Sequence, residues 1–137
     1  LMNHGPLSPS RFAAAIAERL DAVVPSGLTV QAQGSSVNLY WGRARRGGSV
    51  NATLLAEDDG RTATELLEIS ARTILNDIQT DLMEHLREQW PLGKGNQAAE
   101  PDARVQEDRL LMWFGEEEQP VIALPPLKLA DLLEGAA

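Results

Sequence analysis

Between Thr62 and Trp90 the apolar residues Ala63, Leu67, Ala71, Ile74, Leu75, Ile78, Leu82 and Leu86 recur at steps of mostly three or four. On a wheel of about 100° per residue they form one stripe, so the pattern predicts a long amphipathic helix with that stripe in the core. Thr62 and Glu65 have the capping-box spacing that starts such a helix, and Pro91 with Gly93 stops it. Glu68 with Arg72 and Asp81 with His85 stand four apart in the acid-first order that supports a solvated helix face. Leu66, Ile69 and Met83 fall off the stripe, among Glu65, Asn76, Asp77 and Arg87, and apolar groups there call for a cover. The 29 residues from Thr62 to Trp90 would span about 43 Å, against a diameter of roughly 37 Å for a compact chain of this length. Overhang and off-stripe residues together imply a homodimer, with Leu66, Ile69 and Met83 as partner-binding positions. Trp90, at the helix end beside Pro91, joins them as a surface aromatic.

β-period segments frame this helix. Ser8-Pro9 opens a first helix with the stripe Phe12, Ala13, Ile16, Ala17, Leu20, Val23 and Val24, ended by Pro25-Ser26-Gly27. Leu28 to Gln33 and Val37 to Trp41 alternate apolar and polar across a turn at Gly34-Ser35-Ser36, which is a hairpin with one buried face. Gly42 to Gly48 reads as a loop, and Ser49 to Ala56, with Val50, Ala52 and Leu54 in phase, as a third strand before an acidic turn at Glu57-Asp58-Asp59-Gly60. After the long helix, Pro91 to Asp102 combines glycine, proline and small polar residues and reads as a mobile connection. Ala103 to Gln106 starts an optional strand; Arg109 to Phe114 and Val121 to Leu124 form a second hairpin, and Leu127 to Leu133 a short C-terminal helix closed by Gly135. The sum is one α+β domain over residues 1–137, ordered helix, three antiparallel strands, long helix, two or three strands, short C-terminal helix, with residues 1–7 as a flexible tail. Leu1, ahead of Met2, reads as a vector remnant.

Charge narrows the partners. The net charge is −8, with five basic and two acidic side chains in residues 1–56 and seven basic and eighteen acidic ones in residues 57–137. A chain so acidic repels a phosphate backbone, so nucleic acid is not an expected partner. Cysteine is absent, which fits a cytoplasmic protein without a disulfide framework, and no apolar run reaches the ~18 residues of a membrane span. Ten of the twelve basic residues are arginine, and with the alanine richness this points to a GC-rich genome such as an actinobacterial one.

Candidate chemistry is sparse. His4 lies in the tail and His85 at the margin of the apolar stripe, without cysteine to complete a ligand set, so no metal or catalytic residue is expected. Glu57-Asp58-Asp59-Gly60 lacks the spaced oxygen ligands and distal glutamate of a calcium loop. Arg43, Arg45 and Arg46, set among glycines, are the one basic cluster, and backbone amides there can approach an anion. Trp41 and Trp113 stand in apolar strand neighbourhoods and are expected in the core.

The succession of elements from Ser8 to Leu133 resembles the type III secretion chaperone fold and the related bacterial YbjN-like proteins. The resemblance rests on element order, small size and acidity, with no sequence motif and no residue transferred by position. It implies a homodimeric, non-enzymatic, partner-binding or chaperone-like protein that holds a segment of another polypeptide on its sheet and helix surfaces and needs no cofactor. A small-molecule or anion-binding module using Arg43, Arg45 and Arg46 is the alternative.

Overall fold

The computed structural model describes residues 7 to 51 and 60 to 134, apart from the side chains of residues 45 to 51. The tail with His4, the acidic residues Glu57 to Asp59, the strand positions Ala52 and Leu54 and the closing Gly135 lie outside them. Helix α1 (Pro9–Asp21) starts where Ser8 accepts the Arg11 N–H at 3.2 Å, with Pro9 at the first helical position. It buries Phe12, Ala13, Ile16, Ala17 and Leu20 of the stripe its period predicts, while Val23 and Val24 fall beyond its end and are half-buried.

Strands β1 (Leu28–Gln33), β2 (Ser36–Trp41) and β3 (Ala44–Asn51) form an antiparallel sheet in chain order. The expected loop from Gly42 to Gly48 is therefore mostly strand. Gly42-Arg43 is a two-residue turn between the paired Trp41 and Ala44, and the register of β2 with β3 slips twice, so Arg46 and Ser49 are the extra residues of two bulges. These two bulges break the alternation, so the apolar pattern hides the strand there.

Helix α2 runs Ala63–Leu86, with both halves of the Thr62/Glu65 capping box formed. It has 24 residues, about 36 Å, and so fits within its domain instead of overhanging it. Arg87 adopts the left-handed conformation (φ 60°) and ends the helix four residues before Pro91. Pro91 disfavours helical backbone at Trp90, and the Gln79 side-chain amide takes the Trp90 carbonyl at 3.0 Å, which turns the chain back towards the core.

The second sheet is antiparallel, in the order β4 (Pro101–Gln106), β5 (Arg109–Glu116), β6 (Gln119–Ala123). A two-residue strand, β7 (Leu127–Lys128), pairs with the start of β5 on the same side as β6. The optional strand is thus real, and Pro101 and Asp102 belong to it. The expected C-terminal helix is β7 followed by a 3-10 turn, Leu129–Leu132, whose Leu132 is buried. Pro125 and Pro126 lie just before this short segment and, with no N–H, cannot donate to a helix. Leu7 bridges Leu133, and the Ser8 N–H donates to the Leu132 carbonyl at 2.7 Å, so α1 is fastened to the far end of the chain.

Helix α2 lies between the edge strands β3 and β4 and packs on both. This gives it two buried sides. The predicted stripe from Leu67 to Leu82 is buried, but so is Leu66, 6% exposed. Glu68 and Arg72 do not serve as a solvated ladder. Glu68 Oε2 accepts the Val105 N–H at 2.7 Å, and Arg72 donates to the Ala103 carbonyl at 3.1 Å and to Asp102, so both side chains stand where a neighbouring strand would pair with β4. Glu68→Ala should cost about 1–3 kcal/mol by leaving the partly buried Val105 N–H without its acceptor, whereas Glu68→Gln, which keeps an acceptor oxygen, should cost less than half of that. Urea titration of the two variants reads the difference.

Candidate functional site

The surface that stands out is where the first sheet meets the end of α2. Val37, Leu39 and Trp41 share one face of β2, and the first two are fully buried. Trp41 lies one step further, at the strand end, and is 43% exposed. Its ring is held all the same. It lies so close to Gly27 that a Cβ there would sit 2.5 Å from the indole, and its centroid is 5.0 Å from that of His85 on the last turn of α2, inclined at 45°. Gly27 (φ 95°) is thus needed both for the turn into β1 and for the approach of the indole. The result is an indole fixed against two elements with part of its surface open to solvent. Arg43, two residues on, is also exposed.

The residues singled out from sequence are not brought together. Leu66 is covered within the chain by its own core, because α2 packs on both sides, and it is not free to meet a partner. Ile69 and Met83 are half-buried. Trp90, expected at the surface, is half-buried with its ring edge-on to Phe114 at 5.4 Å, while Trp113 is in the core as expected. Trp41 is the reverse case. Period-two alternation places it in phase with buried Leu39, and only the end of the sheet, which no single-strand pattern records, leaves it exposed. Arg45 and Arg46 are strand residues whose side chains lie outside the described ones, so the three arginines do not share one loop.

The connection after α2 is tied down. Gln79, 5% exposed, donates to the Trp90 carbonyl at 3.0 Å and to the Ala99 carbonyl at 2.7 Å, and the Ala99 N–H returns to Pro91 at 2.8 Å. Leu92 bridges Ala98, and Ala99 is buried. Lys94-Gly95-Asn96 forms an exposed 3-10 turn, and Lys94 pairs with Glu116 at 2.7 Å. That hydrogen bond and charge hold Lys94 above and Glu116 below their ordinary ranges. A broad-specificity protease is expected to cut residues 91–102 only within the exposed turn Lys94-Gly95-Asn96. Cleavage by a broad-specificity protease at residues 98–100 would contradict the anchoring that Gln79 provides.

Shallow depressions flank this region. One is lined by Arg72, Thr73, Asn76, Asp77, Glu100 and Pro101, and partial burial, then neighbouring Asp81, push the Asp77 carboxyl up. Another lies between Gly93, Ala98, Gly115 and Val121. Among the described residues no group of three histidines, aspartates or glutamates could hold a metal, and no helix is long and apolar enough to cross a membrane. Comparison with protein-family models, with curated proteins and with solved structures returns no match.

Proposed function

We propose that this chain is a non-enzymatic, chaperone-like protein that works in the cytoplasm as a homodimer and holds a segment of another polypeptide, with Trp41 as its anchor. The observation that supports this reading is the fixed, open indole. Tryptophan is among the residues that most often carry binding energy at interfaces, and a ring already held by Gly27 and His85 loses little freedom when a partner covers it. Affinity capture from source lysate by the wild-type protein and by Trp41→Ala is the test, with circular dichroism to show that the variant keeps its fold. The reading expects proteins that the wild type retains and the variant releases. The same set on both columns, or an empty column for the wild type, would sink it.

A further inference from the structure

The chain holds 20 acidic residues in 137, yet none lies between Asp21 and Glu57. That carboxylate-free stretch contains the whole first sheet and three arginines, Arg43, Arg45 and Arg46. Charge is therefore locally positive in a chain of net charge −8. The backbone places these arginines beside Trp41. Arg43 is in the turn that follows it, Ala44 is its partner in the register, and Arg45 stands opposite Tyr40. Arg43 is exposed and makes no ion pair or hydrogen bond among the described residues, whereas Arg72, Lys94 and Arg104 are each paired with a carboxylate. Ser26, Gly27, Gly42 and Ala44, at the same end of the sheet, are exposed and small.

We infer that this end of the first sheet takes an acidic peptide, a segment of another polypeptide that lays an apolar side chain on the Trp41 indole and sets carboxylates against Arg43. A guanidinium offers a carboxylate two parallel N–H donors, and the pair strengthens where an apolar contact beside it excludes water. His85, against the indole at 5.0 Å, carries an N–H donor in either of its charge states. Glu84 and Glu88, exposed on the same end of α2, repel carboxylates from the helix side, so the acidic residues of the partner belong on the sheet side. The net charge does not oppose this. At 0.15 M salt, charges beyond about 8 Å are largely screened, so a short peptide responds to the surface it touches. A nucleic acid is charged along its whole length and would run from the arginines onto the acidic remainder of the chain.

This inference rests on the Trp41 anchor of the reading above. Selection of short peptides from a random library on the wild-type protein, followed by fluorescence anisotropy of the labelled winners, tests it. The winners are expected to be rich in aspartate and glutamate beside an apolar residue, and to bind more weakly as salt is raised. Trp41→Ala is expected to release them. Arg43→Glu should weaken them by about tenfold or more, while Arg109→Glu, which changes the net charge equally from an exposed site on β5, leaves their affinity unchanged. Circular dichroism checks the fold of each variant. Winners that need Trp41 but carry no acidic excess, or that respond equally to Arg43→Glu and Arg109→Glu, overturn this inference and leave the anchor standing. Winners that Trp41→Ala still holds, or no winners at all, overturn both. A single-stranded oligothymidine that displaces the winners assigns the surface to phosphate and overturns the acidic peptide, as does a wild-type dimer that Arg43→Glu splits, which assigns it to a second copy.

Discussion

Replacing Gln79 with methionine should cost about 2–6 kcal/mol, because the two carbonyls that share its amide, those of Trp90 and Ala99, each lose a buried donor worth roughly 1–3 kcal/mol. Methionine has nearly the shape of glutamine, so the loss measures the hydrogen bonds and not a cavity. Thermal and denaturant unfolding of the variant would show it directly. Cleavage by a broad-specificity protease should also spread from the Lys94-Gly95-Asn96 turn to residues 98–100, since Gln79 holds both ends of the connection from Trp90 to Ala99. A variant within about 0.5 kcal/mol of wild type, the range of an indifferent surface change, would mean that water replaces the amide without loss.

The second large effect is at Ile78, fully buried in the middle of α2 between Ile74 and Leu82. Ile78→Ala removes apolar surface and leaves a cavity, a loss of about 2–5 kcal/mol at a well-packed site. Against a total stability of roughly 5–15 kcal/mol, that is a large fraction. Asn76→Ala, on the exposed face two residues away, should change stability by less than about 0.5 kcal/mol. Denaturant titration of both variants decides the matter, and a larger loss at Asn76 would mean that the helix is turned the other way.

Much of this framework was legible in the residues. The stripe of α1, the Thr62/Glu65 box, the first hairpin and the buried run from Leu67 to Leu82 all follow from periodicity and capping, which are local. What escaped was decided between elements. Leu66 looked uncovered because a one-stripe helix has one buried side, and nothing local says that α2 has a sheet edge on each flank. Glu68 and Arg72 have the spacing of a helix ion pair, and only the position of β4 makes them partners of its backbone. Gln79 carries no signal in the helical pattern, although its amide holds the following connection. The arginine segment lost its strand identity to two bulges, since an extra residue shifts every later side chain to the other face. Of the candidate site, the sequence offered the tryptophans but misjudged which one is open. Trp41 and Leu39 have the same phase, and sheet extent separates them.

The fastening of α1 to residues 125–133 bears on how the chain is made. Arg19 donates to the Pro125 and Pro126 carbonyls at 2.9 and 3.1 Å, and Ser8 reaches the Leu132 carbonyl, over separations of more than a hundred residues. Synthesis runs from the N-terminus at about 5–20 residues per second, so α1 emerges from the ribosome several seconds before these partners exist. The first sheet can shelter the α1 stripe in that interval, but the carbonyls that hold Arg19 and the amide of Ser8 are made more than a hundred residues later. Completion of this fold therefore waits until residues 125–133 have been made, and a nascent chain stalled before Pro125 presents α1 in a half-clasped state to whatever chaperones attend the exit tunnel.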